Sequence, residues 1–173
     1  MLASDRIRKE LAGLPPQVPA PAPFGAGIYT ADCTARTYAE LLHRAAALLA
    51  VGESVILDAS WTSLRQRADA AAVADQHSAD LVQLRCTTPA GLAAERMARR
   101  QGGASDADPA IAAQLAADEA PWPAAITIDT SAPAGPAGSP ARPAGATGPV
   151  RQALAAIRPH GHGHVWRAGP SRQ

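Results

Sequence analysis

The stretch Thr34–Ser60, TARTYAELLHRAAALLAVGESVILDAS, decides the fold class of this chain. Its longer first part predicts a helix over residues 34–51, because apolar residues recur there every three or four positions. These positions are Leu41, Leu42, Ala45, Leu48 and Leu49. Gly52 stands where a C-terminal cap belongs, since glycine readily adopts the conformation that ends a helix. The closing segment Val55–Asp58 is short, apolar and β-branched, which is typical of a buried parallel strand.

Helices and strands alternate on both sides of this stretch. Further strands are predicted near Met1–Ser4, Leu81–Cys86 and Ala125–Asp129. Helices are predicted at about 5–14, 63–77, 88–101 and 108–118, and the proline-rich segment 15–27, PPQVPAPAPFGAG, predicts a surface loop. Because the two kinds of element alternate, we expect a three-layer α/β fold with a parallel sheet.

Composition divides the chain into a domain and an appendage. We expect one domain over residues 1–130, an Ala/Gly/Pro linker over 131–149, a short helix over 150–158 and a disordered tail over 159–173. His160, His162 and His164 alternate with glycine in that tail. Alternating histidines can chelate a transition metal, but no acid or cysteine ligand supports them, so a disordered tail is the favoured interpretation.

Charge and cysteine usage exclude several classes of partner. The formal net charge of +1 offers no field that would draw nucleic acid or an acidic membrane, so we expect neither as a partner. No run of 18 or more apolar residues and no hydrophobic signal core is present. Cys33 and Cys86 lie far apart without metal-ligand spacing, so reduced thiols in a cytoplasmic protein are expected.

The first candidate constellation is Asp5 with Arg8, directly after the first predicted strand. Residues three apart share a helix face. A carboxylate at that place can accept a proton from a substrate hydroxyl, and an arginine one turn on can hold a substrate anion. The alternative is an acidic residue in a helix's first turn, which the helix dipole favours.

The second candidate is Asp58. Ligands of α/β sheets sit beyond the carboxyl ends of the strands, where Asp58 is expected, and a carboxylate there can hold magnesium directly or through water. The alternative is an aspartate that caps the following turn.

The third candidate is the arginine pair Arg96 and Arg100, four residues apart on one predicted helix face. The segment after them, residues 101–108, QGGASDAD, resembles a mobile turn that would let the arginines swing onto phosphates. The alternative is a set of cations at a helix C-terminus, where the dipole favours them, followed by a solvated turn.

Taken in order, these segments resemble a bacterial family of P-loop kinase-like ATP-binding domains, often described as AAA family ATPases. The family is similar to the gluconate kinase, zeta-toxin and polynucleotide kinase group. The matching stretches, which cover roughly residues 3–131, are SDRIRKELAGLPP, YTADCTARTYAELLHRAAALLAVGESVILDASW, LRCTTPAGLAAERMARRQGGASDADPAIAAQLAADE and ITIDTS. An α/β protein unrelated to kinases is the remaining alternative.

The resemblance implies a role for each candidate residue. Asp5 corresponds to the base for the substrate hydroxyl, and Arg8 to the residue that positions the acceptor. Asp58 corresponds to the strand-end carboxylate that serves the metal. Arg96 and Arg100 correspond to lid arginines that neutralise the transferring phosphate. ATP and Mg²⁺ are the implied cofactors and a small hydroxyl compound the implied acceptor. An aminoglycoside phosphotransferase-like domain is the implied partner, since some family members are fused to one.

The chain departs from the family at its front. The family begins with a strand and a Gly-x-x-x-x-Gly-Lys-Ser/Thr loop that cradles phosphates. That motif is absent here, and Lys9 is the only lysine. We therefore expect a remnant or mis-started form, lacking the first strand and phosphate loop, that binds ATP weakly or not at all and is inactive alone. The alternative is a non-catalytic binding or regulatory module that needs a partner to complete its sheet.

Overall fold

The structure is a computed structural model that describes residues 1–20, 22, 25–99 and 109–131. The helices are α1 (Ser4–Leu11), α2 (Ala31–Ala50), α3 (Leu64–Gln76), α4 (Ala90–Arg99) and α5 (Pro109–Ala117), with a 3-10 turn at Gly27–Tyr29. The strands are β1 (Leu2–Ala3), β2 (Leu57–Asp58), β3 (Leu84–Thr87) and β4 (Ile126–Asp129). The predicted linker, C-terminal helix and histidine tail lie outside the described residues.

Glycines end the first two helices. Gly13 and Gly52 have φ of 70° and 82°, in the left-handed region that L side chains rarely adopt. The Gly13 and Leu14 N–H groups donate to Glu10 and Lys9 carbonyls, and the same pattern follows α2. This Schellman arrangement satisfies carbonyls at the helix end. It stops α1 at Leu11, three residues before the predicted end.

The described strands form two separate two-stranded sheets, β1 with β2 and β3 with β4. Both pairs are parallel, as predicted. The described strands therefore do not form the single parallel sheet of the three-layer fold that the sequence predicts. All four strands are also shorter than predicted, and the largest differences are at the starts of two of them: β2 begins at Leu57 rather than Val55, and β3 begins at Leu84 rather than Leu81.

The chain divides into two compact units. The first contains Met1–Gln83 and Thr88–Ala125, and the described part of the second is Leu84–Thr87 with residues 126–131. The core of the first unit is Ile7, Tyr38 and Leu41, which are at most 5% exposed. Leu2, Leu57, Ala59 and Trp61 pack against it. This core holds α1 and α2 against the β1–β2 pair, because Ile7 comes from α1 and the other two residues come from α2.

The second unit is described through its two strands. The four residues of β3 pair in register with the four of β4, from Leu84 opposite Ile126 to Thr87 opposite Asp129. The Thr130 N–H and hydroxyl both donate to the Thr87 carbonyl, each at 2.8 Å. No helix in the described ranges is both long and apolar enough to cross a membrane.

Candidate functional site

The β1–β2 pair places two candidate carboxylates at one edge of its sheet. Ala3 lies opposite Asp58 in the parallel register, and Asp5 follows Ala3 by two residues, in the first turn of α1. Because both strands run in the same direction, Asp58, the last residue of β2, and Asp5, two residues after β1, both lie at the carboxyl ends of neighbouring strands. This is the edge at which α/β sheets bind ligands.

The side chains of Asp5 and Asp58 are both available to bind a ligand. Asp58 is exposed and Asp5 is half-buried. Within the described ranges, no hydrogen bond or ion pair engages either side chain. The capping role considered for Asp58 is therefore not seen: α3 begins after Ser63, and that N-cap makes no side-chain hydrogen bond.

Hydrogen bonds to the Tyr38 side chain of α2 fix the turn after β2. Its hydroxyl accepts a hydrogen bond from the Trp61 N–H at 3.1 Å and shares one with the Ser60 hydroxyl at 3.2 Å. Trp61 has φ of 51°, which is unfavourable for a bulky side chain. Its ring meets the Tyr38 ring edge-on, with centroids 5.2 Å apart. Strained backbone of this kind clusters at binding sites, so the turn that follows Asp58 is a candidate part of the site.

Arg8 lies inside the protein, where it ties α1 to the start of α2. Its Nη1 donates to the Ile28 carbonyl and the Thr34 hydroxyl, each at 3.1 Å. Its guanidinium carbon lies 4.9 Å from the centre of the Tyr29 ring. These contacts occupy one nitrogen, and the acceptor-positioning role of Arg8 stays a prediction.

The position of Lys9 shows whether this chain has a lysine that could contact an ATP triphosphate. The side chain of Lys9, the only lysine, is 1% exposed within α1, so it does not take the place of a phosphate-loop lysine. The sequence also contains no Gly-x-x-x-x-Gly-Lys-Ser/Thr loop. The residues present therefore do not fit the triphosphate. Asp58 does suit Mg²⁺, which binds through one or two carboxylates and keeps its waters.

The arginines assigned to the lid are described only in part. Arg96 is exposed in the last turn of α4, and Arg99 pairs with Glu95 at 2.7 Å in the same turn. Arg100 and the predicted lid turn over residues 101–108 lie outside the described residues, as do His160, His162 and His164. In the described ranges, no group of three or more His, Cys, Asp or Glu side chains gathers as metal ligands do.

Sequence reasoning missed a second buried arginine, Arg67 of α3, which is 8% exposed. Its guanidinium donates to the carbonyls of Trp61, Ala120 and Pro121 at 3.1 to 3.3 Å. It also lies 4.8 Å from the centre of the Trp122 ring. Arg67 thus joins the turn after Asp58 to the segment that follows α5. The available signal was its place, three residues before Ala70 and seven before Ala74, on the buried face of α3.

Comparison with known proteins identifies relatives of this chain. The model of the AAA domain family AAA_33 matches residues 1–120. The chain is similar to the uncharacterized protein Rv2004c of Mycobacterium tuberculosis (strain ATCC 25618 / H37Rv) and the uncharacterized protein Mb2027c of Mycobacterium bovis. Each is 37% identical over 134 residues, which cover 77% of this chain and 27% of the relative. The chain therefore spans about a quarter of the length of these curated relatives. No solved structure matches it.

Proposed function

Because the chain belongs to the AAA domain family, whose members are P-loop NTPase-like nucleotide-binding domains, we propose that it forms the acceptor-side part of an ATP-dependent phosphoryl-transfer domain. The observation that carries this proposal is the register of Ala3 with Asp58. That register brings Asp5 and Asp58 to the ligand-binding edge of one sheet, with both carboxylates free of partners in the described ranges.

The proposed roles follow the chemistry of each group. Asp5 takes the proton from the acceptor hydroxyl, since a carboxylate at hydrogen-bond distance of a hydroxyl can act as a general base. Asp58 holds Mg²⁺ directly or through a water molecule. Arg8 positions the acceptor, and Arg96 and Arg100 neutralise phosphate charge.

The chain as it stands should not carry out this transfer alone. Its only lysine is buried in α1, and no segment of the sequence supplies the glycine-rich cradle of backbone N–H groups that phosphates require. We therefore propose phosphoryl transfer as the activity of a longer chain in which these residues are joined to a phosphate loop. The relatives are long enough to carry further domains, and a fused aminoglycoside phosphotransferase-like domain is the proposed partner.

A second candidate function is a non-catalytic binding or regulatory module that a partner completes. The observation that favours it is the pairing of the described strands as two small sheets, with Ile56 beside β2 62% exposed. An unpaired strand edge with an apolar neighbour is a template for another strand. In this proposal, the single parallel sheet of the three-layer fold forms only when the partner supplies that strand.

Calorimetric titration with Mg·ATP tests the first proposal. We compare this chain with one extended at its N-terminus by a strand and a Gly-x-x-x-x-Gly-Lys-Ser/Thr loop. The short chain should show no saturable binding, because it lacks the phosphate cradle, and the extended chain should bind and turn over ATP with a hydroxyl acceptor. Micromolar affinity in the short chain would contradict the proposal. An extended chain that binds no nucleotide would favour the non-catalytic module.

Variants of the extended chain then test the two carboxylates. Asp5→Asn should lower kcat by about 10²- to 10⁴-fold, the usual contribution of a general base, and leave ATP affinity unchanged. Asp58→Asn should raise the Mg²⁺ concentration needed for half-maximal activity. The matched control is Asp69→Asn on α3, whose side chain is 56% exposed and pairs only loosely with Arg65 at 3.9 Å. Equal effects of all three variants would remove the assigned roles.

A further inference from the structure

The segment after α5, residues 118–122, is bound to the turn after β2. The Ala120 N–H donates to the Thr62 carbonyl at 3.0 Å. The Arg67 guanidinium lies between the segment and the turn, since its Nη1 donates both to the Trp61 carbonyl at 3.2 Å and to the Ala120 carbonyl at 3.3 Å. One side chain of α3 therefore contacts two segments that are distant in the sequence.

Trp61 is hydrogen-bonded through both of its backbone groups. Its N–H donates to the Tyr38 hydroxyl at 3.1 Å, and its carbonyl accepts from Arg67. Its φ of 51° is unfavourable for a bulky side chain. Such a conformation persists only where the surrounding contacts over-determine it. We therefore expect Trp61 to keep this conformation only while the contacts from Tyr38 and Arg67 are both made.

The conformation of Trp61 bears on the side chain of Asp58. Leu57, Ala59 and Trp61 pack against the core, whereas Asp58 and Ser60 are exposed. Successive residues of an extended chain point to opposite faces, so this alternation directs Asp58 outward. A different backbone conformation at Trp61 would break the alternation three residues after Asp58 and leave its carboxylate without a fixed direction.

The segment after α5 also covers Arg67. The centre of the Trp122 ring lies 4.8 Å from the guanidinium carbon, and the Trp122 Nε1 donates to the Gln83 side chain. Pro121 is exposed and Trp122 is half-buried, so the segment is the outer layer over a residue that is 8% exposed. The hydrogen-bond acceptors of Arg67 in the described ranges are neutral carbonyls. Because a buried charge without an acid is costly, water competes for Arg67 once the segment moves away.

We propose that Arg67 is a positioning residue for Asp58 and that the segment after α5 controls it. While the segment is bound, Arg67 holds the Trp61 carbonyl and thereby keeps the Asp58 carboxylate in place. When the segment is released, Arg67 loses two of its acceptors and the ring that stacks on it, and the turn relaxes. The effect on Mg²⁺ rests on the proposed function of Asp58, whereas the coupling concerns only described residues of one compact unit.

Hydrogen exchange measured by NMR tests the coupling without any ligand. Trp122→Leu removes the ring over Arg67 together with its hydrogen bond. It should speed exchange of the Ala120 N–H and also of the Trp61 N–H, whose acceptor belongs to α2, by about three- to tenfold, the factor for one weakened hydrogen bond. The Leu41 N–H, in the middle of α2, reports unfolding of the whole unit, and its exchange should not change.

Two further variants separate the coupling from a general loss of stability. In an Arg67→Lys background, Trp122→Leu should not speed exchange of the Trp61 N–H further, because the link between the two tryptophans is already broken. Asp118→Asn is the control, since Asp118 lies in the same segment and its hydrogen-bond partner belongs to α5. The measurement is made on this chain and on the N-terminally extended chain. An unchanged Trp61 N–H in Trp122→Leu, or an equal increase for Leu41, overturns the proposal.

The activity of the extended chain tests the consequence for Asp58. Arg67→Lys should raise the Mg²⁺ concentration needed for half-maximal phosphoryl transfer by about 10- to 100-fold, the usual effect of a group that orients a metal ligand, and leave the KM for ATP at saturating Mg²⁺ unchanged. Arg65→Lys, which alters a side chain that is 90% exposed on the same helix, should change neither. An extended chain that transfers no phosphate contradicts the proposed function alone, and the exchange rates still decide the coupling. An active extended chain whose Mg²⁺ requirement is the same in Arg67→Lys overturns the positioning role.

Discussion

The hydroxyl of Tyr38 in α2 accepts a hydrogen bond from the backbone N–H of Trp61, 3.1 Å away and 23 residues along the chain. Tyr38 is 5% exposed, so the bond is made at the edge of the core. It fixes a residue with positive φ in the turn that follows Asp58. A side chain of α2 therefore sets the backbone path at the candidate site.

Tyr38→Phe should destabilise the protein by about 1–2 kcal/mol, because the Trp61 N–H loses its acceptor in a partly buried place. Urea unfolding measures the change, in whichever of the short and extended chains unfolds cooperatively. Ser60→Ala is the matched variant, since it removes the second contact to the same hydroxyl and leaves the Trp61 bond intact. A cost for Ser60→Ala equal to that for Tyr38→Phe would show that the Trp61 bond has no special weight.

Arg67→Lys should release the segment after α5 from α3. An ammonium group cannot donate in a fixed fork to three carbonyls while it stacks on the Trp122 ring, so we expect a loss of at least about 2 kcal/mol. Proteolysis near Ala120 and the fluorescence of Trp122 report the release. The control is Arg65→Lys, whose exposed partner Asp69 is 3.9 Å away, and its effect should be below about 0.5 kcal/mol. Similar effects at the two positions would contradict the anchoring role.

The ion pairs between α1 and α2 predict a pH dependence. A hydrogen bond from Arg44, 2.7 Å away, holds the pKa of the Glu10 carboxyl below its ordinary value, and Arg6 lowers it further. Since the folded-state pKa is depressed, this stabilisation is fully present above the unfolded pKa of about 4.3 and is lost as the pH falls through the folded value.

Glu10→Gln should therefore flatten the fall in unfolding free energy below about pH 5. The effect should be about 0.2–1 kcal/mol, because the Glu10 and Arg44 side chains are 32% and 36% exposed. Urea unfolding at a series of pH values measures it. Glu53→Gln is the control, since Glu53 is exposed and has no ion pair in the described ranges. If the unfolding free energy of Glu10→Gln falls with pH as steeply as that of the unchanged protein, the ion pairs of Glu10 do not contribute to the pH dependence.

The extended chain should unfold at a higher temperature and more cooperatively than the short one. A supplied strand would pair unsatisfied strand edges and cover apolar side chains, each worth about 1.5–3 kcal/mol when buried. A typical domain has only about 5–15 kcal/mol of stability, so several such contacts decide whether it folds. Calorimetry of both chains is the measurement. A sharp transition of the short chain at the temperature of the extended one would show that the strand is dispensable.

Local sequence signals predicted most of the elements. Leucine spacing predicted α2, which runs from Ala31 to Ala50, and the helix predicted over residues 63–77 is α3, Leu64–Gln76. Residues 126–129 form a strand within the predicted range Ala125–Asp129. These features depend on neighbours a few positions away, so the sequence carries them directly. The ordered motifs also placed the chain in a P-loop family, in agreement with the family match over residues 1–120.

Strand length and pairing could not be read in the same way. The apolar run at Leu81 and Val82 predicted strand, yet both residues are exposed and β3 begins only at Leu84. A strand exists only where a neighbour accepts its hydrogen bonds, and β4 pairs with residues 84–87 alone. The sequence indicated a strand propensity over residues 81–86, and pairing with β4 determined which residues form the strand.

The sequence by itself determined the described helices, the glycine that ends α2, the parallel direction of the strands and the carboxylates at the ends of β1 and β2. Only the tertiary structure decided which charged residues lie inside. Arg8, Lys9 and Arg67 are each at most 8% exposed, although their types predict a solvated surface. The physical reason for Arg8 and Arg67 is that a buried guanidinium requires oxygens and rings around it. Distant parts of the chain supply these groups: Ile28 and Thr34 for Arg8, and Ala120 and Trp122 for Arg67.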